Sequence, residues 1–244
     1  MKFIDTPSPN HDKRTLPVTL LVLHYTGMEN GKAALERMCD PAAKVAAHYM
    51  VEEDGRIFKL VEENCRAWHA GISAWGGETD INSASVGIEI VNGGHDFGLP
   101  DFPDTQIQAV IKLSRDVMRR NSITDFGVVA HSDIAPGRKQ DPGEKFPWSI
   151  LADAGIGIWP DVKTTDQRTL FSKDATNRQI RTIQIALAYL GYGVAVTETM
   201  DDETLNALQA FQRRYRPTKI DGIIDVQTME TLSLLVRYKK KFCI

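Results

Sequence analysis

Two apolar, β-rich runs in this chain each end in a histidine. Val18-Thr-Leu-Leu-Val-Leu23 leads into His24-Tyr25-Thr26-Gly27, and Phe126 to Ala130 leads into His131. The first reads as a buried central strand and the second as a shorter buried one, which commits the chain to a sheet with a covered centre. A lone histidine at a strand end is usually a hydrogen-bonded structural residue. A pair weighs differently, because parallel or mixed sheets gather functional groups at the carboxyl ends of their strands. The second histidine opens His131-Ser-Asp-Ile-Ala-Pro-Gly-Arg-Lys139-Gln-Asp141-Pro-Gly, where Pro136-Gly137 bends the chain back. Residues two apart in an extended segment point the same way, so Lys139 and Asp141 are expected to face one pocket. A polar surface loop is the plainer reading of that stretch taken alone. Taken together, His24, His131 and Asp141 make a set of three protein ligands for a catalytic zinc, leaving a fourth position for water.

A chemical partner for such an ion stands in Ser85-Val-Gly-Ile-Glu89-Ile-Val-Asn92. One glutamate inside an apolar strand is either a solvent-facing edge residue or a buried carboxylate that needs a cation or a proton. Beside a metal, Glu89 can take the proton of an attacking water and later give it to a leaving nitrogen. Lys139 would set positive charge against the oxyanion of a tetrahedral intermediate. This combination describes metal-assisted amide hydrolysis.

The segments His24-Tyr-Thr, Ala47-His-Tyr-Met-Val, Ala67-Trp-His-Ala-Gly-Ile-Ser-Ala-Trp75, Ser85-Val-Gly-Ile-Glu-Ile and His131-Ser-Asp-Ile-Ala-Pro-Gly-Arg-Lys resemble the zinc-dependent N-acetylmuramoyl-L-alanine amidases, in their AmpD/AmiD-like branch. They run in the family's order through the first two-thirds of the chain. The resemblance implies an α/β fold with a mixed central β-sheet flanked by helices, one zinc on His24, His131 and Asp141, Glu89 as acid/base and Lys139 as intermediate stabiliser. More distant relatives use cysteine as the third ligand, where this chain has Asp141. Some phage-type members carry a catalytic tyrosine where Ala47 stands, so Tyr49 is given no role. The Trp68-His69 to Trp75 loop could pack into the core, as large aromatics usually do. The resemblance favours the groove rim, with His69 and Trp75 near substrate and Trp68 in packing. The implied reaction cleaves the bond between the lactyl group of N-acetylmuramic acid and L-alanine, in peptidoglycan or in soluble (anhydro)muropeptides. The alternative is a non-catalytic peptidoglycan-recognition module. Members of that kind have typically lost zinc ligands, whereas all three are present here.

A formal charge of −3 over 244 residues argues against nucleic acid as a partner. No stretch approaches the roughly 18 apolar residues that span a membrane. The first ten residues lack the apolar core of a secretory signal, and Cys39, Cys65 and Cys243 are scattered without metal spacing. Reduced thiols in the cytoplasm are therefore expected, with an exported protein as the alternative if a leader had been removed.

The remaining pattern divides the chain. A short helix is expected over Lys32 to Met38, and a hairpin from His48–Glu53 and Arg56–Leu60 across Asp54-Gly55. Asp104 to Arg120 places Ile107, Val110, Ile111, Ser114, Val117 and Met118 on one helix face. Pro147-Trp148 opens a short helix that Gly155 ends. The catalytic domain is assigned to 1–160, a linker without periodicity to 161–175, and a small all-α three-helix domain to 176–244. In the last, Thr176 to Leu190 has helical spacing closed by Gly191, and Asp201-Asp-Glu-Thr204 and Asp225-Val-Gln-Thr228 repeat as helix starts capped by aspartate. With Phe211-Gln212 and Ile220-Asp221-Gly222, this part resembles the helical peptidoglycan-binding module often fused to wall hydrolases. Every proposed chemical residue precedes Asp161, so a chain ending near residue 160 is expected to retain cleavage of small soluble muropeptides.

Overall fold

The computed structural model describes residues 1–173 and 175–242. In chain order the elements are β1 (Ile4–Asp5), β2 (His11–Lys13), β3 (Leu20–Tyr25), α1 (Gly31–Cys39), β4 (Tyr49–Val51), β5 (Ile57–Lys59), β6 (Cys65–Ala67), α2 (Ile81–Ala84), β7 (Ser85–Ile90), α3 (Asp104–Asn121), β8 (Val128–Ala130), α4 (His131–Ile134) and α5 (Trp148–Asp153). There follow β9 (Thr169–Phe171), α6 (Arg178–Leu190), α7 (Asp202–Tyr215), β10 (Ile224–Asp225) and α8 (Val226–Phe242). They pack as two compact units that no single cut in the chain separates. The first holds Met1–Ser73, Asp80–His131 and Asp141–Ile158; the second holds Ala74–Thr79, Ser132–Gln140 and the chain from Trp159.

The first unit is built on a mixed sheet of order β1-β5-β4-β7-β3-β8. Only the β4–β5 pair is antiparallel. It is the expected hairpin, closed at Asp54-Gly55 by Gly55 N–H on the Glu52 carbonyl at 2.9 Å, with Gly55 at φ +84°. Leu21, Val22 and Leu23 of β3 are wholly buried between β7 and β8, each such aliphatic side chain contributing roughly 1.5–3 kcal/mol of burial. Helix α3 packs on β3, β4 and β7 and buries all six residues of the expected face, together with Gln106 and Leu113. Helix α1 is capped by Asn30, whose side chain accepts from Ala33 N–H at 2.9 Å. It sends Ala34 and Met38 into a cluster with Met50, Phe58 and Leu60. The Pro147-Trp148 start and the Gly155 stop of α5 are as the sequence implies.

In the second unit α6, α7 and α8 form the expected three helices. Asp201 caps α7 through Thr204 N–H at 2.9 Å, and Asp225 caps α8 through Thr228 N–H at 2.8 Å. A buried glutamine on the preceding helix ties down each incoming loop. Gln184 donates to the Thr199 carbonyl at 3.0 Å and Thr204 Oγ1 at 2.9 Å, while Gln212 donates to the Ile223 carbonyl at 2.9 Å. The stretch read as a linker contains strand β9, which pairs with β10 in register Ile224↔Phe171. Its partner lies some fifty residues on, and three largely exposed residues carry no alternation to betray it. Cys39 and Cys65 are free thiols; Cys243 lies outside the described residues. No helix among the described residues is long and apolar enough to cross a membrane.

Candidate metal centre and active site

Strand register assembles the centre. His24 of β3 is the partner of Glu89 of β7 across a parallel pair, so the two side chains share a rung and one face of the sheet. On the other side Leu23 pairs with Ala130, and the next residues along the chain are His24, still in β3, and His131, the first residue of α4. Asp141 completes the group: His24 Nδ1 lies 2.9 Å from His131 Nδ1 and 3.1 Å from Asp141 Oδ2, and His131 Nδ1 lies 2.9 Å from the same oxygen. All three residues are buried, none more than 5 % exposed.

The hydrogen bonds leading away from this triangle assign a hydrogen to Nε2 of each histidine. Ser85 donates its hydroxyl hydrogen to the Ile81 carbonyl at 2.5 Å. His69 Nε2, 3.2 Å from Ser85 Oγ, must therefore be the donor of that contact. Burial first, and the neighbouring imidazoles next, hold His69 well below its ordinary pKa, so it is neutral and its Nδ1 carries a lone pair. That lone pair receives His24 Nε2–H at 3.0 Å. His131 Nε2–H is likewise assigned by its acceptor, the Ala70 carbonyl at 3.1 Å. With Nε2–H so assigned on both rings, both Nδ1 atoms point toward each other and toward a carboxylate oxygen. Such a point demands a cation. A proton can bridge two of the three donors, whereas a metal ion serves all of them.

The donor chemistry fits that demand: two imidazole nitrogens and a carboxylate oxygen suit zinc and its first-row neighbours. Donors about 2.0–2.2 Å from a tetrahedral ion stand roughly 3.3–3.6 Å apart, so the group needs to open by only a few tenths of an ångström. Burial alone would raise the Asp141 carboxyl, but the two imidazoles outweigh it and hold the group far below the usual carboxylate range. It is ionised and ready to ligate.

Glu89 is half-buried and borders a small pocket lined by Thr26, Met28, Ala34, Met38 and Val45, with Arg37 among its walls. Lys139 belongs to the second unit. It is half-buried and ends a turn in which its N–H meets the Ala135 carbonyl at 3.0 Å. Trp75, also half-buried in the second unit, packs edge-on against Tyr192 with ring centroids 4.9 Å apart. Gly191 is required beside it, since a Cβ there would lie 2.3 Å from the indole. His69 sits behind the metal-type centre, 5 % exposed, instead of at a rim. Its ring fills the space over Gly87, where a Cβ would come within 2.6 Å. Asn82 Oδ1 anchors this loop by accepting from His69 N–H at 2.9 Å and Ala70 N–H at 2.7 Å. One loop thus supplies the acceptor for each of the two central histidines. Sequence reasoning did not find that role, nor the chain from Tyr25 hydroxyl to His95 Nδ1 at 2.9 Å and from His95 Nε2 to Glu144 at 3.0 Å. The available signal was a histidine among small residues, which Gly87 and Ser85 complement only once β7 lies beneath it.

A mixed sheet that presents two histidines and an aspartate to one point, with a glutamate on the same rung, has the donor set of a metal-dependent hydrolase. Comparison with known proteins makes the class specific. Residues 14–144 match the family model described as N-acetylmuramoyl-L-alanine amidase, and residues 176–232 match that of a peptidoglycan binding domain. N-acetylmuramoyl-L-alanine amidase AmiD of Escherichia coli (strain K12) is 37 % identical over 231 residues, covering 90 % of this chain and 82 % of that protein. The solved complex of the E. coli amidase AmiD with anhydro-N-acetylmuramic acid-L-Ala-D-gamma-Glu-L-Lys superposes with a TM-score of 0.78 at 34 % identity, over 95 % of this chain and 90 % of that one. AmpDh3 of Pseudomonas aeruginosa in complex with anhydromuramic pentapeptide gives 0.77 at 35 % identity, over 96 % and 95 %. The chain belongs to the N-acetylmuramoyl-L-alanine amidase family and is an amidase of that type.

Proposed function

We propose that this protein uses one zinc ion, held by His24, His131 and Asp141, to hydrolyse the amide between the lactyl group of N-acetylmuramic acid, its anhydro form included, and the L-alanine of the stem peptide. The observation that carries the reading is the convergence of two imidazole nitrogens and one carboxylate oxygen within 3.1 Å of each other. A zinc ion there would supply Lewis acidity for both the water and the scissile carbonyl. Glu89, register partner of His24, takes the proton of the attacking water and returns it to the alanine nitrogen as the C–N bond breaks. Lys139 donates to the carbonyl oxygen as negative charge gathers on it. His69 and the Ala70 carbonyl keep each ligand histidine in the tautomer that ligates.

Relatives solved with anhydromuropeptides support the substrate class, and the match over 176–232 supports binding of polymeric peptidoglycan as well. A reducing, cytoplasmic compartment is proposed from the scattered cysteines, with fractionation of the native protein as its check. The central test is metal analysis of purified protein together with mass spectrometry of a purified anhydromuropeptide after incubation. Release of free stem peptide by protein carrying one zinc per chain is expected. Binding of the muropeptide without cleavage by zinc-loaded protein would reverse the reading in favour of recognition without catalysis.

A further inference from the structure

Asp133, two residues after His131, is wholly buried, and its charge is met inside the second unit. Arg214 of α7, 3 % exposed, donates Nη1–H to Asp133 Oδ2 at 2.6 Å. Tyr192, also 3 % exposed, donates its hydroxyl to Asp133 Oδ1 at 2.7 Å. The guanidinium carbon lies 4.9 Å over the Tyr215 ring, which leaves the ion pair little freedom to rotate. We propose that Asp133, Arg214 and Tyr192 are positioning residues for Lys139, and that the helical module thereby serves the cleavage reaction as well as wall binding. The inference rests on the assignment of Lys139 as the oxyanion donor.

The argument is one of slack. From Asp133 to Lys139 the chain passes through buried Ile134 and Ala135 and then a tight turn, in which Arg138 N–H and Lys139 N–H both point at the Ala135 carbonyl, at 3.2 and 3.0 Å. Ile134 is fastened in addition by its carbonyl, which accepts from Ala74 N–H at 2.8 Å. Gly137 passes so near α7 that a Cβ would lie 2.6 Å from the Asn206 amide. Segment 74–79 is tied to the same helices by Gly76 N–H on the Gly191 carbonyl at 2.8 Å. A buried ion pair adds little net stability over an apolar pair of the same shape, but it accepts only one arrangement of its partners. Lys139 is the kind of group for which that matters, because an oxyanion donor must be held to within about half an ångström of its working position. A module that only tethered the enzyme to a polymer would have no use for a charged anchor in this segment.

The test uses the full chain with Arg214→Gln and Asp133→Asn together, so that no unpaired charge is buried. Three quantities are read: kcat and KM on a soluble muramoyl-L-alanyl peptide, zinc content, and hydrogen exchange of amides 132–140. Removing one oxyanion donor costs about 10²–10³-fold in kcat, so loosening Lys139 is expected to lower kcat by about tenfold, with KM within about twofold and zinc unchanged. Exchange across 132–140 should accelerate, and the same pair of changes should cost nothing further in a Lys139→Ala background. A kcat within twofold of wild type with 132–140 still protected overturns the proposal, as does an equal loss in the Lys139→Ala background. Full activity of Lys139→Ala alone would overturn the premise instead, and the exchange data would still show whether the segment is held. If the double variant fails to fold, Tyr192→Phe, which removes one hydrogen bond, decides by the same readings with an expected loss of about threefold.

Discussion

Asp133 and Asp141 stand eight residues apart in sequence, both buried, and meet the same difficulty in opposite ways. A carboxylate taken out of water needs a positive partner. Asp133 has one of its own, Arg214, plus a tyrosine hydroxyl, and its lone pairs are answered by donors the fold supplies. Asp141 faces two imidazole nitrogens, His24 Nδ1 at 3.1 Å and His131 Nδ1 at 2.9 Å, in a group that a metal ion could share. The first arrangement is complete and therefore structural. The second is read as incomplete, a group that could hold a metal ion. Burial and ion pairing do not separate them, whereas the neighbours do: a guanidinium and a phenol in one case, two imidazoles in the other.

The comparison predicts opposite responses to mutation, the largest at the incomplete group. Replacing His24, His131 or Asp141 with alanine should abolish cleavage and lower zinc occupancy, because two ligands hold the ion poorly and lose its geometry. Full zinc and full activity in any one of these variants would remove that residue from the ligand set. A chelator should reproduce the loss in wild-type protein, and added zinc should restore it. Next in size, Glu89→Gln should keep its zinc and lose about 10²–10⁴-fold in kcat. Activity within threefold of wild type would leave the metal to act without a glutamate.

At the complete group the larger effect should fall on stability, beside the smaller loss of kcat expected above. Arg214→Met takes the guanidinium away from the buried Asp133 charge and is expected to lower unfolding free energy by about 3–5 kcal/mol. Well-packed apolar residues at both positions should restore most of it. Equal stability of the single and double variants, read by denaturant melts, would mean that Asp133 is not ionised in the fold. A chain cut near residue 160 strands Asp133 in the same way. It should therefore lose soluble-substrate activity or solubility, against the expectation from sequence that the first 160 residues suffice.

The smallest predicted effect concerns a buried base outside both groups. His48 is wholly buried, accepts from Gly87 N–H at 3.0 Å, and is lowered to about 3 by desolvation foremost and then by the charge of Arg14. The unfolded chain binds a proton at its histidines near pH 6.5 while folded His48 does not, so the unfolded state holds more protons between about pH 6.5 and 3. Stability should fall as pH drops through that window, by at most about 1.4 kcal/mol per pH unit for this group. His48→Gln should flatten the slope by up to that amount. An unchanged slope would assign acid sensitivity to other groups.

Much of this molecule could be read from the chain because its signals are local. Apolar runs ending in His24 and His131, the Asp54-Gly55 turn, the face of α3 and the capping aspartates at 201 and 225 each depend on neighbours within a few residues. Propensity, periodicity and turn chemistry act at that range, so these features came out where expected. Glu89 could be singled out because a charge inside an apolar strand is improbable without a partner.

What only the tertiary structure decided involves partners far apart in sequence. That His24 and Glu89 share a rung is a matter of strand register, and a slip of one residue would put them on opposite faces. His69 became an orienting residue only because Ser85 and Gly87 lie under it, one taking its hydrogen and the other leaving room for its ring. Strand β9 exists only by pairing with β10. Asp133 reads in sequence as one more polar residue of a turn; Arg214, eighty-one residues on, makes it an anchor. Hydrogen bonds and buried charges are settled by what comes within 3 Å in space, and the order of residues along a chain fixes that only after the chain has folded.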